Sequence, residues 1–402
     1  MKNILIISPH FYPNDFKCND VAFELVRHGH AVTVLTDIPN YPKGKFFDGY
    51  GYFKKRYENI NGVRVIRTGV IPRGNGSGLM IALNYISFLC TAFFRAFFMG
   101  LFRQYDTIIV HQLSPVTVGI PAAVIKKMQK KAKLLFWVLD LWPESLQEAG
   151  GINNKYILGT FEWVAKFCYR NSDKILISSK GFKKSICEKG DFADKIVYFP
   201  NWAEASLSGN LDYIIPELSE GFKVMFAGNI GKAQDFEHTL EAAKILHDRG
   251  EKNIHFVLVG DGRMRTWVEE YIIANQLKDT VHWVGRHPLE AMGKFFACAD
   301  VMYLALKDSI IFNLTCPAKL QAYMSAGKPV LAMINGEGRQ IIEEAGCGLS
   351  VPAGASLELA NAVSAMRKMS REELMLMGQR GQEYCKRNFS FEDNMNTLIG
   401  II

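Results

Sequence analysis

The chain has 402 residues, 49% of them hydrophobic and 22% charged, which is ordinary globular composition at a length that predicts two or three domains. Its 8 cysteines include no CxxC pair and no regular framework, so we exclude a disulfide scaffold and expect reduced thiols in a cytosolic protein. The net charge of +7 is uneven, because residues 1–205 hold 27 Lys and Arg against 16 Asp and Glu. We expect this half to meet an anionic surface or ligand. The alternative is that its lysines are solvent-exposed residues on helix surfaces without a binding role.

Short continuous apolar runs recur through the first half of the chain, with helical spacers such as 21–30 between them. Such runs are typical of strands buried on both faces of a parallel sheet. The N-terminus passes from one lysine directly into the first run, so no signal peptide is expected. The predicted strands of this half are 4–8, 31–36, 63–70, 107–110, 134–140, 174–179 and 196–199.

One segment of the first half breaks this alternation. Residues 78–102 contain several phenylalanines and a single charge, Arg95. Their longest uncharged stretch, 79–94, is shorter than the roughly 20 residues that a membrane span needs. We therefore expect a helix that lies in a membrane interface, the alternative being a helix buried against the sheet.

A polar segment rich in turn-forming residues, 200–221, separates the first half from a second array of strands and helices. Two successive arrays predict an α/β fold with two doubly wound, Rossmann-like domains and an interdomain cleft. The predicted strands of the second half are 223–229, 255–262, 281–285, 300–306, 329–334 and 348–351.

The most informative stretch is CPAKLQAYMSAGKPVL, residues 316–331, which predicts a helix that begins at Pro317 and ends before Gly327. A helix N-terminus carries about half a positive charge, and Lys319 in the first turn reinforces it. The glycine turn at 228–232 also follows a strand, and open α/β sheets bind ligands at that edge.

Two arginines follow the next strand in the sequence GDGRMR, Arg263 and Arg265. Together with the helix end and the glycine turn, they predict a site for one or two phosphates, although Arg265 is better explained as a surface charge.

Six segments, in chain order, resemble those of family 4 glycosyltransferases with the GT-B fold. Two more, PNYPKGKFFDGY (39–50) and DLWPES (140–145), resemble the bacterial N-acetyl-L-fucosamine transferases of O-antigen and capsule synthesis. The resemblance implies a UDP-sugar donor and an undecaprenyl-diphosphate-linked acceptor, met at the inner face of the bacterial cytoplasmic membrane by a peripheral protein. The six segments are 27–36, 226–234, 257–265, 281–288, 299–306 and 317–331.

The resemblance also implies domain limits. An acceptor-binding domain would comprise residues 1–200, and a nucleotide-sugar-binding domain residues 201–383. The last segment, about 384–402, would return as a helix to the first domain.

On the donor side, Asn229 stands where the family has an arginine, and His287 joins Arg286 in the loop for the base. The family's Glu-x7-Glu motif would fall on Asn313 and Gln321, neither of which is a glutamate. The loss of two carboxylates would suit a deoxy sugar with fewer hydroxyls, and the family's retaining stereochemistry is not carried over. The donor-binding residues implied are Gly228, Asn229, Gly231, Lys232, Arg263, Arg286, Asn313, Thr315, Lys319 and Gln321.

On the acceptor side, Asp20 would open a helix, as a general base or as a simple N-cap. His111 follows a predicted strand at the ligand-binding edge of the sheet. It would be either a catalytic group or a histidine buried in the core. Asp140 and Glu144 would orient the acceptor or cap a helix. The catalytic residues implied are Asp20, His111 and Lys319, and the acceptor-binding residues are Asn19, Asp140 and Glu144.

Several rival functions can be weighed from the same residues. A nicotinamide dehydrogenase needs a GxGxxG turn after the first strand, and SPHFYP (8–13) stands there instead. A sugar-nucleotide epimerase of GT-B shape and a non-catalytic membrane scaffold stay open. Nucleic acid is not expected as a partner, and neither a cofactor nor a metal ion is expected, because there is no basic motif with stacking aromatics and no DxD motif between strands.

Overall fold

The computed structural model describes residues 1–148, 150–203 and 213–402, so Ala149 and part of the predicted linker, 204–212, lie outside the described residues. The chain divides into two units. We call Met1–Phe199 with Glu392–Ile402 the N-terminal unit and Pro200–Phe391 the C-terminal unit. Each predicted array forms the sheet of one unit.

The N-terminal unit contains an eight-stranded sheet. Its strands are β1 (Asn3–Ile7), β2 (Ala31–Asp37), β3 (Tyr57–Ile60), β4 (Val63–Thr68), β5 (Thr107–Gln112), β6 (Lys133–Val138), β7 (Lys174–Ile177) and β8 (Ile196–Tyr198). They are ordered β3-β4-β2-β1-β5-β6-β7-β8, and all neighbours are parallel except β3 and β4. The central strand β1 is fully buried from Ile4 to Ile7, as expected for a sheet with both faces covered.

Helices follow most of these strands in the N-terminal unit. They are α1 (Lys17–Arg27), α2 (Gly78–Phe102), α3 (Gly119–Met128), α4 (Glu144–Glu148), α5 (Lys155–Asn171) and α6 (Phe182–Glu188). Residues 78–102, which broke the predicted alternation, thus form one continuous helix, α2.

One side of α2 packs onto the N-terminal unit, and the other side is exposed. The buried positions recur every fourth residue, at Asn84, Phe88, Ala92 and Ala96, and α2 contacts α3. In the described part of the chain, α2 alone has the length and hydropathy to cross a membrane, and only 28% of its most apolar window is buried. This exposure argues against a helix enclosed in the core, and membrane contact stays a prediction.

The C-terminal unit contains a six-stranded, wholly parallel sheet, ordered β11-β10-β9-β12-β13-β14. Its strands are β9 (Phe222–Ala227), β10 (Ile254–Val259), β11 (Val281–Gly285), β12 (Val301–Ala305), β13 (Val330–Met333) and β14 (Gly348–Val351). Its helices are α7 (Phe236–Asp248), α8 (Arg265–Ala274), α9 (Met292–Cys298), α10 (Ile310–Leu314), α11 (Ala318–Ser325), α12 (Gly336–Ala345), α13 (Ser356–Lys368) and α14 (Arg371–Asn388).

The last helix, α15 (Phe391–Ile401), belongs almost entirely to the N-terminal unit. Lys2 Nζ donates to the Ile402 carbonyl at 2.6 Å, and Lys133 Nζ donates to the Ile401 carbonyl at 3.0 Å. The chain returns later than the expected residue 384, because α14 continues to Asn388 and packs on α11 and α12.

Both sheets are doubly wound around their first strand. β1 lies between β2 and β5, and β9 lies between β10 and β12. The chain order reverses at these strands, and open α/β sheets form a ligand crevice there, outside the carboxyl ends of the strands. Each unit therefore has its own candidate site.

Candidate functional site

In the C-terminal unit, backbone hydrogen bonds join the loops that follow β9, β10 and β11. Gly228 N–H donates to the Val259 carbonyl, and Gly260 N–H donates to the Gly285 carbonyl, each at 2.8 Å. Gly260 has a φ of +141°, and a Cβ there would lie 1.8 Å from the Gly228 carbonyl oxygen. Only glycine fits this packing, and the result is a surface of glycine backbone that a ligand can approach closely.

The ammonium group of Lys319 lies beside this glycine surface. Its Nζ donates to Gln234 Oε1 at 2.5 Å and lies 4.1 Å from the centre of the Phe226 ring. A Cβ at Gly228 would lie 2.5 Å from Lys319 Cε. Burial lowers the Lys319 pKa to about 7. Among the described residues no carboxylate forms an ion pair with Lys319, so an anionic ligand can be its counter-charge.

The helix that holds Lys319 begins one residue later than predicted. Pro317 is the N-cap, with φ −67° and ψ 129°, and Ala318 is the first helical residue of α11. Gly327 has a φ of +68° and follows the helix end, as predicted. Lys319 is therefore the second helical residue, within the turn whose N–H groups have no carbonyl partner in the helix.

Three other basic residues predicted to bind the donor are exposed near the same strand ends. Lys232 follows β9, Arg263 follows β10 and Arg286 follows β11. Arg265, in contrast, lies 4.1 Å from the centre of the Trp283 ring and 3.5 Å from Glu269, which fits the surface role given as its alternative. The binding roles of the other three stay predictions.

The predicted glycine turn and base loop differ in how their side chains are held. The Asn229 side chain fills space against the glycines, since a Cβ at Gly231 would lie 2.6 Å from Asn229 Nδ2. His287 Nε2 lies 2.9 Å from the Val284 carbonyl, so it is the protonated nitrogen and Nδ1 accepts from the Tyr213 hydroxyl at 3.0 Å. Both imidazole nitrogens thus already have hydrogen-bond partners. Only the backbone groups of this residue are left to bind the base of a nucleotide.

Asn313 and Thr315 lie in the segment that follows β12. Asp308 accepts from Asn313 Nδ2 at 2.9 Å and from Asn335 Nδ2 at 3.0 Å, and these hydrogen bonds lower the Asp308 pKa. Thr315 Oγ1 donates to the Ile311 carbonyl at 2.7 Å. The segment therefore presents an ionised carboxylate, Asp308, which the sequence analysis did not single out.

Gln321 does not join Lys319, contrary to the predicted donor set. The two residues are two positions apart on α11, so their side chains point about 200° apart around the helix axis. Gln321 is 1% exposed, and its Nε2 donates to the Asn201 carbonyl at 2.9 Å. It holds the beginning of the C-terminal unit against α11 rather than facing the glycine surface.

In the N-terminal unit, the carboxyl ends of the strands surround a pocket of about 310 Å³. Loops after β1, β2, β4, β5 and β6 contribute to it, together with α2. Its lining residues are His10, Phe16, Tyr41, Arg73, Tyr85, Leu113, Ser114 and Asp140.

Asp140 is the one predicted acceptor residue that lines this pocket. It accepts hydrogen bonds from the Ser114 and Ser145 hydroxyls and, at 3.0 Å, from Trp142 Nε1. Burial raises the Asp140 pKa, against the lowering effect of these donors. A carboxylate of this kind, desolvated but hydrogen-bonded, can orient a hydroxyl group or accept its proton.

Glu144 is held by a basic residue, Lys189, that is not among the residues lining the pocket. Its Oε1 pairs with Lys189 and accepts from the Ser185 hydroxyl at 2.6 Å. Glu144 is also the first residue of the short helix α4 and lies inside the helix, so its capping alternative stays a prediction. The structure therefore gives this carboxylate a structural partner, and it does not appear among the residues that line the pocket.

His111 fits its core alternative better than a catalytic role. It is 1% exposed, does not line the pocket and packs against Trp137. The Ser8 hydroxyl donates to the His10 carbonyl at 2.6 Å, so it accepts from His111 Nδ1 at 2.9 Å. Burial lowers the His111 pKa to about 3, which keeps the ring neutral.

The two predicted residues near the start of α1 occupy different positions from those expected. The helix begins at Lys17, with Phe16 as N-cap, so Asp20 lies in the first turn instead of opening the helix. Asn19 is 5% exposed and donates to the Asn14 carbonyl at 2.7 Å, so its amide stabilises the preceding loop. The role of Asp20 as a base stays a prediction.

The pocket also contains residues that the sequence analysis missed. His10, Tyr41, Arg73 and Tyr85 come from four separate segments. The sequence SPHFYP that replaces a glycine-rich turn was a signal for His10, but nothing in the sequence connected Arg73 with it.

Two families match consecutive parts of the chain. The family described as Glycosyl transferase 4-like domain matches residues 18–202, and Glycosyl transferases group 1 matches residues 221–368. These two ranges lie almost entirely in the N-terminal and C-terminal units respectively.

Curated relatives and solved structures agree with these matches. The chain is 27% identical to the probable glycosyltransferase WbjE of Pseudomonas aeruginosa, over 59% of this chain and 61% of that protein. It is 25% identical to the putative colanic acid biosynthesis glycosyl transferase WcaI of Escherichia coli K12, over 61% of each chain. These matches span about three fifths of the relatives' length.

Among solved structures, Anabaena Alr3699/HepE in complex with UDP superposes with a TM-score of 0.67. The identity is 14%, with 100% of this chain and 99% of that chain covered. The likeness shows the fold, which is GT-B.

Proposed function

Because this chain belongs to the GT-B glycosyltransferases, we propose that it transfers a sugar from a nucleotide-sugar donor to a glycan acceptor. The observation that carries the proposal is the Lys319 ammonium beside Gly228, a partly buried cation without a carboxylate partner in the described residues. The C-terminal unit would bind the donor, and the N-terminal pocket would bind the acceptor.

The proposed chemistry needs a stabilised leaving group. The acceptor oxygen forms a bond to the anomeric carbon, the bond from that carbon to an oxygen of the donor phosphate breaks, and the acceptor hydroxyl passes its proton to a base, a role that the Asp140 carboxylate would fill. The departing diphosphate gains negative charge, and Lys319 with the N–H groups at the start of α11 would offset it. The HepE structure with UDP supports a UDP-sugar as the donor.

For the acceptor we propose a saccharide linked to undecaprenyl diphosphate, and for the sugar N-acetyl-L-fucosamine or a related deoxy amino sugar. Support comes from the resemblance of residues 39–50 and 140–145 and from the colanic acid role in the name of the WcaI relative. Asp140 would orient the acceptor hydroxyl in the pocket.

The proposed location is the inner face of the bacterial cytoplasmic membrane. The exposed side of α2 displays large apolar residues, among them Phe94 at 62% and Phe98 at 53% exposure. The basic N-terminal half would add attraction to anionic lipids.

A donor screen tests the function. The purified chain is incubated with UDP-, GDP- and dTDP-sugars and a prenyl-diphosphate-linked saccharide, and products are read by NMR, which also gives the anomeric configuration. Transfer that depends on the acceptor supports the proposal. A new sugar nucleotide formed without acceptor would favour the epimerase, and nucleotide binding without any turnover would favour the scaffold. Repeating the reaction with EDTA tests the expected independence of metal ions.

Vesicle flotation tests the location. We expect the wild type to float with vesicles of phosphatidylglycerol and phosphatidylethanolamine, and Phe94→Glu/Phe98→Glu to stay in the pellet. Met375→Glu changes an equally exposed apolar residue of the C-terminal unit and is the control, expected to float. Flotation of the double variant would contradict contact through α2.

A further inference from the structure

Arg73 is a cation that lines the N-terminal pocket, and its side chain contacts an amide, an imidazole and two tyrosine rings. Its Nε donates to Asn84 Oδ1 at 3.4 Å, and its Nη2 lies 3.3 Å from His10 Nε2. Its guanidinium carbon lies 5.0 Å from the centre of the Tyr41 ring and 5.3 Å from that of Tyr85. Within the described residues Arg73 forms no ion pair with a carboxylate.

The surrounding contacts fix the position of this guanidinium. Asn40 Oδ1 accepts from the Arg73 backbone N–H at 3.4 Å and from Asn84 Nδ2 at 3.3 Å. Asn84 Nδ2 also donates to the Ile71 carbonyl at 2.7 Å, which ties the loop after β4 to α2. A side chain held by both its backbone and its neighbours loses little further entropy when it binds a ligand.

The guanidinium keeps donors for a ligand. Arginine has five N–H donors, and two of them meet Asn84 and His10. The other three have no acceptor among the described residues. A planar fork of this kind matches the two oxygens of a phosphate or a carboxylate, and an aromatic surround strengthens it by excluding water.

The opposite charge lies elsewhere in the same pocket. Asp140 lines it too, but its oxygens are taken up by Ser114, Ser145 and Trp142 rather than by Arg73. The pocket therefore offers one group that favours an anion and one that favours a hydroxyl.

We propose that Arg73 binds an oxyanion of the acceptor, a phosphate or a carboxylate, and so selects acidic acceptors over neutral ones. The proposal rests on the proposed function, because it takes this pocket to be the acceptor site.

The experiment compares three acceptors that contain the same terminal sugar. One is linked to a prenyl diphosphate, one is an alkyl glycoside with a neighbouring uronic acid, and one is a neutral alkyl glycoside. For Arg73→Met we expect the KM of an anionic acceptor to rise about 10- to 100-fold, the range for losing a hydrogen bond to a charged group, with the neutral acceptor unchanged. A rise confined to the diphosphate identifies a phosphate, and one confined to the uronic acid identifies a carboxylate.

Two further variants keep the test decisive. Arg73→Lys retains the charge without the fork, and we expect an intermediate KM; it also serves if Arg73→Met does not fold. Arg64→Met changes an exposed arginine of β4 and should leave every KM unchanged. Equal losses with neutral and anionic acceptors, or no loss with either, would overturn the proposal.

Direct binding separates this proposal from the proposed function. In the absence of donor, the isotope-labelled full-length protein is titrated with each glycoside and followed by NMR. This measures the affinity for the acceptor even if the donor screen finds no active donor. Anion-selective binding that disappears in Arg73→Met would sustain the role of Arg73 even if the donor screen fails. Binding without such selectivity would refute it even if transfer is found.

Discussion

The Tyr323 hydroxyl bonds both backbone groups of Ala227, accepting from its N–H and donating to its carbonyl, each at 3.0 Å. Ala227 is the last residue of β9, immediately before Gly228. Tyr323 and Lys319 are four residues apart on α11, so they share one face of the helix. This pair of hydrogen bonds thereby fixes the position of Lys319 against the glycine surface.

We expect Tyr323→Phe to lower the free energy of unfolding by about 1–3 kcal/mol, because it leaves two buried backbone groups of Ala227 without a partner. Urea unfolding of the full chain measures this. Tyr384→Phe is the matched control, since the Tyr384 hydroxyl meets Glu344 at the surface, and it should change stability by less than about 0.5 kcal/mol. Equal effects of the two variants would show that the Tyr323 hydroxyl does not have this role.

Gly228→Ala should displace Lys319. The new Cβ would lie 2.5 Å from Lys319 Cε, at a φ of +145° that side chains rarely adopt. We expect UDP affinity to fall about tenfold or more, as for the loss of one charged contact. Gly250→Ala also strains a positive φ, +68°, but its Cβ meets no atom within 4 Å. Isothermal titration of both variants with UDP checks this, and a similar Kd for the two would contradict it.

The affinity for UDP should depend on pH through Lys319. The free pKa is about 7, and a bound diphosphate raises it, so binding takes up a proton. Affinity is then fully present below pH 7 and falls as pH rises towards the pKa of the complex, by up to about tenfold per pH unit. Titrations in buffers of different ionisation enthalpy should give about half a proton taken up at pH 7.

Lys319→Arg is the control for this linkage, because a guanidinium stays charged throughout the range. Its UDP affinity should be flat between pH 7 and 8.5, whatever its absolute value. A wild-type affinity that is equally flat would mean that the ammonium is not the group that meets the diphosphate.

Much of the fold follows from periodicity. The predicted strands match thirteen of the fourteen strands in the described residues, and most of them are continuous apolar runs, because strands buried on both faces have no polar alternation to interrupt them. The exception is β3, whose residues YENI are neither a continuous apolar run nor an alternation of apolar and polar residues, and which pairs antiparallel with β4 at the sheet edge. A hairpin strand at an edge depends on its partner, and no local pattern of its own revealed it.

The candidate sites were less predictable, for geometric reasons. Lys319 and Gly228 could be placed at one edge because both follow strand ends. The family's Glu-x7-Glu motif assigned Gln321 to the same site, although a helix turns residues two apart to opposite sides. Arg73 gave no signal, since its contacts with His10 and Asn84 depend on how two loops and α2 fold together.

His111 should make the N-terminal unit sensitive to acid. Burial lowers its folded pKa to about 3, while the unfolded value is near 6.5, so the unfolded chain binds a proton that the folded chain does not. Stability is therefore unaffected by this group above pH 6.5 and is lost as pH falls below it, by about 1.4 kcal/mol per pH unit.

Comparing unfolding at pH 7 and pH 5, we expect His111→Gln to lose about 2 kcal/mol less than the wild type, because glutamine does not titrate. His28→Gln, which changes the exposed histidine that follows α1 as its C-cap, is the control for removing an imidazole. If the His111 variant and the wild type lose stability in parallel, the buried imidazole is not what makes the unit sensitive to acid.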